Sequence, residues 1–364
     1  MDRTLNICEK FYKTKNISYD DFLYLMKLEE EDAEKLYKFA RDLTIKNFEN
    51  KIYIRGLIEI STYCKNNCFY CGLRNANEKV SRVRLSKDDI LNLAEHSVDL
   101  GIKTIVLQGG EDDFYTLDYL KKIIEGIKNK FEDTAITLSL GERDFSDFEE
   151  LKNIGADRYL LRHETYSKSH YEKLHPNSMS FKNRIDSIFK LKEIGFQTGC
   201  GMMIGSPFQT YDNLYDDLNF ILELKPQMVG LGPFIPHKDT PFRNYKRGNL
   251  SDVLKILSIV RISDEKILLP ATTALGSIYE FGRENGILAG ANVLMPNVGA
   301  KKLRKNYKLY DNKIGTEVEN SDDFKGLEEK LKKIGYEISP YRGDYRWERR
   351  IRCIKKIQEL QKNL

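Results

Sequence analysis

Tryptophan occurs once in this 364-residue chain, at Trp347, histidine five times and proline nine times. No run of about 18 apolar residues exists, so no membrane-spanning helix is expected. Residues 1–11 are polar and charged and lack the apolar core of a secretory leader, so the expected location is the cytoplasm. Neither sign of charge dominates: 59 basic residues face 55 acidic ones, for a net charge of +4. That near balance argues against nucleic acid as the main partner. With 41% hydrophobic and 31% charged residues, the composition is that of a globular protein with a sizeable core. Cysteine is scarce too, and its six copies are unevenly placed. Cys64, Cys68 and Cys71 crowd together, whereas Cys8, Cys200 and Cys353 stand alone and read as ordinary thiols. A disulfide framework does not look like this; a metal site in a reducing compartment does.

What the chain does have is alternation. Residues 20–47 read as helix, with Phe22, Leu25, Met26, Leu36, Phe39 and Ala40 on apolar faces. Strand character recurs eight times, at 52–60, 104–107, 136–140, 158–161, 197–204, 228–231, 267–270 and 292–295. Helix character falls between, at 86–100, 115–130, 147–154, 181–194, 212–224, 251–261 and 277–288. Ser86 opens one helix well, and Gly101, Gly155 and Gly195 stand where a helix end takes a left-handed residue. Repeated strand–helix units imply an α/β fold with a parallel sheet. Eight of them can close into a TIM-type (β/α)8 barrel, and an open doubly wound sheet is the alternative. The expected organisation is an N-terminal helical extension over 1–50, the barrel over 51–300 and a C-terminal helical cap over 301–364. The cap is rich in Lys and Arg, and its basic stretch 349–361 reads as a solvated face.

The chemistry centres on Cys64-Lys-Asn-Asn-Cys68-Phe-Tyr-Cys71, directly after the first strand, where barrel enzymes build their sites. Thiolates are the ligands of iron–sulfur clusters. Three on one loop can hold three irons of a cubane and leave the fourth open to a small molecule, as an open zinc site admits substrate. A structural zinc ion usually takes four ligands in two pairs. No second pair exists, though Cys200 or a histidine is available as a fourth ligand. The C-x3-C-x2-C spacing, with Tyr70 before the last cysteine, resembles the radical S-adenosylmethionine (SAM) superfamily. That resemblance implies one [4Fe–4S] cluster on Cys64, Cys68 and Cys71, whose open iron binds SAM and whose reduced form cleaves it to a 5′-deoxyadenosyl radical.

Further segments fit a SAM site. Gln108-Gly109-Gly110-Glu111 follows the second strand, where the superfamily has a Gly-Gly-Glu-type turn whose backbone meets the SAM amino group; an ordinary flexible turn is the alternative. Arg162-His163-Glu164 ends the fourth strand, and unpaired charges there are costly to bury. Glu164 can accept from the SAM ammonium, and Arg162 or Arg184 can grip its carboxylate in bidentate fashion. The alternative is a salt-bridge network. Met203 precedes the turn Gly205-Ser-Pro207, placed near adenine or simply in a loop. Tyr70, Gln108, Gly110, Glu111, Arg162, Glu164, Arg184 and Met203 are thus the expected cofactor contacts.

Longer strings carry a closer resemblance. EISTYCKNNCFYCGLR, GIKTIVLQGGED, TLSLGE, GADRYLLRHET, GFQTGCGMMIG, MVGLGPFIPHKDTP, LPATTALG and GANVLMPN look like the HydE family, the radical SAM maturases of [FeFe]-hydrogenase. The likeness runs from about residue 50 to about residue 310. It implies a complete (β/α)8 barrel with a large internal cavity, the cluster at its top and SAM facing the cavity. It implies a role in H-cluster assembly, acting on an iron carbonyl–cyanide–cysteine complex made by the radical SAM enzyme HydG. The adenosyl radical attacks the sulfur of the bound cysteine, and the product leads toward maturation on the GTPase HydF. A flavodoxin- or ferredoxin-type electron donor and anaerobic conditions belong to the same picture.

Residue by residue, Glu164 and Arg184 match the family's SAM contacts, with Arg162 near both SAM and cavity. Thr137, Thr272, Thr273 and Met295 match cavity-lining positions, and Tyr307 and Tyr310 match tyrosines at the cavity floor. On their own terms, Thr272 and Thr273 can bind an anion or simply form strand, and tyrosines at i and i+3 share a helix face. The chain also departs from the family. Gly109 stands where Ser is frequent, and Gly205-Ser-Pro-Phe208-Gln209 where many members have Gly-Leu-Pro-Gly-Gln. Residues 313–324 contain no cysteine for a second cluster, so one cluster is expected. Two alternatives stand beside this reading. One is a biotin synthase-like or methylornithine synthase-like enzyme with an organic substrate; the former needs cysteine ligands deep in the barrel, for which only Cys200 is a candidate. The other is a non-catalytic metal-binding protein.

Overall fold

The computed structural model describes residues 2–299, 306–313 and 321–345. It begins, within the helical extension expected over 1–50, with α1 (Arg3–Thr14), capped by the Asp2 carboxylate, which accepts from the Thr4 and Leu5 amides. The helical stretch expected over 20–47 is formed by two helices, α2 (Tyr19–Met26) and α3 (Glu30–Phe48). The buried Lys255 ammonium explains the break. It donates to the carbonyls of Met26 (3.1 Å) and Leu28 (2.5 Å), which the end of α2 leaves without helical partners.

The strands and helices then alternate: β1 (Lys51–Ile54), β2 (Gly56–Ser61), α4 (Lys87–Asp99), β3 (Thr104–Gly109), α5 (Leu117–Lys130), β4 (Ala135–Ser139), α6 (Phe145–Asn153) and β5 (Arg158–Leu160). They continue with α7 (Lys168–Leu174), α8 (Phe181–Ile194), β6 (Gln197–Ile204), α9 (Tyr211–Leu224), β7 (Met228–Pro233), α10 (Leu250–Ser263), α11 (Thr273–Ile278), α12 (Gly282–Leu288) and β8 (Val293–Leu294). The last described elements are α13 (Ser321–Lys333) and β9 (Glu337–Ile338). β2 to β7 form a six-stranded sheet in chain order, and β8, β1 and β9 a three-stranded one; every ladder is parallel. Helical crossovers bury such sheets on both faces, which is why β2, β6 and β7 are buried almost throughout.

The strand expected over 267–270 is reduced to isolated bridges, Met228 to Leu268 and Pro270 to Val293. Pro270 has no N–H to offer a ladder, and the Leu269 N–H is taken by the Asn292 side chain at 2.8 Å. The helix expected over 277–288 is split into α11 and α12; Gly282 packs so closely on the Leu275 carbonyl that a Cβ would lie 2.1 Å from it. Gly101, Gly155 and Gly195 do adopt left-handed conformations, at φ 84°, 110° and 93°. One apolar core runs from Ile7 to Tyr336, joining the N-terminal helices to the sheet. Among the described residues no helix is long and apolar enough to cross a membrane. Trp347, Cys353 and the basic stretch 349–361 lie outside the described residues. Because all strands run one way, the loops after β2 to β7 gather at one rim, and the three cysteines, Gly110, Glu111, Arg162 and Glu164 are on them.

Candidate functional site

The cysteine loop leaves β2 and is tied down at both ends by one side chain. The Arg82 guanidinium donates to the carbonyl of Thr62, where the loop begins, and to those of Leu73 (2.8 Å), Arg74 (2.7 Å) and Asn77 (3.2 Å), where it ends. Inside the loop, Cys71 N–H reaches the Cys68 carbonyl at 3.3 Å and Asn75 N–H the Asn66 carbonyl at 2.8 Å. A second wall comes from the segment after α7. Leu174 accepts from Phe69 N–H at 2.9 Å, and the Met179 sulfur lies 3.6 Å from Cys68 Sγ. His175 Nδ1 faces the Tyr171 carbonyl at 3.0 Å, so it carries the proton, and Nε2 accepts from the Tyr70 hydroxyl at 3.1 Å. Burial holds His175 neutral, pulling it down to about 3. From the loop after β3, the Glu111 carbonyl accepts from Lys65 N–H at 2.8 Å. Gly110 has a steric duty as well: a Cβ there would lie 2.2 Å from the Tyr63 carbonyl and 2.6 Å from Cys64 Cβ.

All five described cysteines are free thiols. Burial pushes Cys8 up to about 12 and raises Cys200, which suits plain packing residues. The three loop cysteines differ. Burial raises each of them, Cys71 to about 12, and for Cys68 and Cys71 a neighbouring loop thiolate is the next cause. Three partly sunken thiols whose anions repel one another are a poor resting state for bare sulfur. As a donor set they fit an iron–sulfur cluster, whose iron supplies the missing positive charge.

The expected SAM contacts surround this loop. Glu164, just beyond β5, has a left-handed φ of 65°, a strained conformation for a non-glycine residue. Its carboxylate meets Arg162 at 3.0 Å but off the hydrogen-bonding direction. Arg162 Nε and Nη2 and Glu164 Oε2 are left buried without hydrogen bonds. Buried groups of this kind call for a partner, and a ligand carrying both an ammonium and a carboxylate would supply two. His163 points the other way, into the core, with Asp217 at 3.2 Å and Phe220 against its ring. Arg184 on α8 is more committed than the sequence suggested. It donates to Glu142 (2.5 Å), the Arg162 carbonyl (2.9 Å) and Glu111 (3.4 Å), leaving two of its five N–H groups for a ligand. Glu111 in turn accepts from Glu142 N–H at 3.1 Å. Met203 is buried on β6 and bonds through its amide to the Glu164 carbonyl at 3.3 Å. A cavity of about 840 Å³ opens beside the loop, lined among others by Lys65, Glu111, Glu142, Arg143, Met179 and Asn183.

Of the expected cavity residues, Thr137 on β4 and Thr272 at the start of α11 each bury a hydroxyl oxygen without a hydrogen bond, and Thr273 is the first residue of that helix. Met295 packs with Phe48, Tyr53 and Met228. The helix face expected for Tyr307 and Tyr310 is not formed. Asn306 is helical, and the described residues after it, 307–313, run as bends and turns. This segment is strapped to the loop by Gly72 N–H to the Leu309 carbonyl (2.8 Å) and to the following rim by Lys238 N–H to Asp311 (2.7 Å). Tyr307 is nonetheless buried, with its hydroxyl 3.3 Å from Gln108 Nε2, and burial pushes Tyr310 up to about 12. Sequence reasoning missed Arg82, His175, Met179, Glu142 and the Glu59–Lys313 ion pair. Only Glu59 carried a signal, as a carboxylate between Ile58 and Ile60 on β2.

The radical SAM superfamily model matches residues 58–221. The [FeFe] hydrogenase maturase subunit HydE of Thermotoga maritima is 45% identical over 281 residues, 77% of this chain and 80% of that protein. The 3-methylornithine synthase of Methanosarcina acetivorans is 30% identical over 335 residues, 91% of this chain and 93% of that protein. Among solved structures, methylornithine synthase (PylB) superposes with a TM-score of 0.79 at 24% identity, covering 92% of this chain and 97% of its own. The maturase HydG superposes with a TM-score of 0.79 at 22% identity, covering 95% and 78%. At those identities the two structures share the fold. With its cysteine loop and parallel sheet, the chain is a radical SAM enzyme. Within that superfamily it belongs to the HydE family. Membership implies a [4Fe–4S] cluster and SAM.

Proposed function

We propose that this protein is an H-cluster maturase, binding a single [4Fe–4S] cluster on Cys64, Cys68 and Cys71 and acting on an iron carbonyl–cyanide–cysteine precursor. The observation that carries this reading is the 45% identity to a hydrogenase maturase over most of both chains, against 30% to a methylornithine synthase. Its upstream partner is a HydG-type enzyme, its downstream partner a HydF-type scaffold, and its compartment the cytoplasm. The bridges at Leu268, Pro270 and Asn297 support a sheet closed into a complete (β/α)8 barrel around the substrate space.

When bound, the cluster and SAM supply a 5′-deoxyadenosyl radical by one-electron reduction. The chain's residues bind and orient. Glu164 Oε2 would accept from the SAM ammonium, and Arg162, with the two remaining N–H groups of Arg184, would hold its carboxylate. The orphan hydroxyls of Thr137 and Thr272 offer donors to the precursor's cyanide or carboxylate groups. Tyr307, Tyr310 and Met295 would bound the substrate space away from the rim.

The experiment is a substrate comparison on the anaerobically reconstituted enzyme with SAM and reductant. The iron carbonyl–cyanide–cysteine complex should accelerate 5′-deoxyadenosine release, whereas lysine should leave it at the background rate. Acceleration by lysine alone would instead favour a methylornithine synthase-type activity, which the longer alignment with that relative supports.

A further inference from the structure

The rim beyond β6 and β7 carries an aromatic patch. Phe208 and Tyr245 are exposed, with ring centroids 5.5 Å apart. Both contact Phe242, at 6.2 Å and 5.2 Å. Phe242 contacts Phe69 at 6.0 Å, and Phe69 is the neighbour of Cys68 in the cysteine loop. The patch is therefore the outer end of a continuous aromatic wedge whose inner end is the loop.

Two features separate it from chance exposure. Phe208 has a φ of 67°, a conformation glycine takes freely and a bulky residue takes at a cost. This chain accepts that strain to present a ring to solvent. The surroundings also carry four basic side chains. Lys173, Arg243, Lys246 and Arg247 are all exposed, and among the described residues none is engaged by a carboxylate. Lys173 lies over the Phe208 ring at 5.6 Å and Arg247 over Tyr279 at 5.6 Å. Aromatic anchors in a charged rim are the anatomy of a protein interface, and an unpaired basic rim selects an acidic partner.

We propose that Phe208 and Tyr245, ringed by Lys173, Arg243, Lys246 and Arg247, are the docking surface for a small acidic one-electron carrier protein that reduces the cluster on the Cys64–Cys71 loop. The proposal rests on the reading of that loop as the cluster site. The carrier is oxidised by one electron and the cluster reduced by one; no bond is made or broken in the transfer. Interfaces of this kind are small and transient, assembled by charge and released quickly.

The test uses the reconstituted holoenzyme and a triple variant, Lys173→Glu with Arg243→Glu and Lys246→Glu. SAM cleavage is driven either by a reduced ferredoxin or, separately, by dithionite. The triple variant should lose about tenfold in ferredoxin-driven rate at low ionic strength, with the gap narrowing as salt is added. Its dithionite-driven rate should stay within about twofold of the wild type. Phe208→Gly, compatible with the backbone there, should lower the ratio of ferredoxin-driven to dithionite-driven rate while leaving the charges in place. Equal ratios in all three proteins would overturn the docking surface and leave the radical SAM reading intact. A shift in oligomeric mass with an unchanged ratio would reassign the patch to a second copy of this chain. No cleavage by wild type with dithionite would remove both readings together.

Discussion

Glu164 concentrates what single residues contribute. Its backbone is strained and one carboxylate oxygen is buried without a hydrogen bond. Strain persists where surrounding structure enforces it, here through Glu164 N–H to the Gly201 carbonyl at 2.9 Å. Glu164→Gln keeps the shape and removes the charge. It should weaken SAM binding by about 1.5–3 kcal/mol, the worth of a charge-assisted hydrogen bond, as read by titration of the reconstituted protein. Unchanged affinity would dismiss the contact. Much of this was legible: a charged triplet at a strand end could not all be core. What the triplet could not reveal was its alternation, which sends His163 inward to Asp217. Nor could it reveal the prior claim of Glu142 and Glu111 on Arg184, because those carboxylates come from loops distant in sequence.

Among elements, the cysteine loop is held by something it does not contain. Arg82 collects carbonyls from both ends of the loop in a fork that a lysine cannot reproduce. Arg82→Ala should cost about 1.5–3 kcal/mol in unfolding free energy and sharply lower the iron retained per chain after reconstitution, with Arg82→Lys recovering little of either. Full iron content in Arg82→Ala would make the clamp incidental. Element identities were largely readable from periodicity, and the helix-end glycines were right because left-handed caps have a clear residue signature. The departures have physical causes. The helical stretch 20–47 divides in two because a lysine from another helix caps free carbonyls. The 267–270 strand dissolves because a proline and an asparagine side chain replace ladder bonds. Both depend on partners that no local pattern contains.

At the scale of the whole molecule, the C-terminal segment closes the end of the sheet opposite the site. Arg158, wholly buried on β5, pairs with Asp344 at 2.6 Å, and Arg342 reaches Asp157 at 2.6 Å. Burial alone would raise both carboxyls. Lys128 and Arg342 around Asp157, and Arg158 and Arg342 around Asp344, outweigh it and hold them below the usual 3.8. The stability they confer is therefore complete above about pH 5 and is lost as pH falls through the unfolded value of 3.8 and then their lowered values. Asp344→Asn leaves Arg158 buried without its charge partner and should cost about 3–5 kcal/mol at neutral pH by urea unfolding. Its acid-induced loss should then be shallower than the wild type's; equal acid slopes would refute the linkage. None of this belt was foreseen, since residues near position 340 were read only as a basic cap.

The most direct test of the account is anaerobic. Wild type and Cys68→Ala are reconstituted with iron and sulfide, given SAM and a strong reductant, and assayed for 5′-deoxyadenosine. The account predicts the nucleoside from wild type alone, with the variant folded but lacking the cluster. Nucleoside from both proteins, or from neither despite a four-iron cluster in wild type, would contradict it.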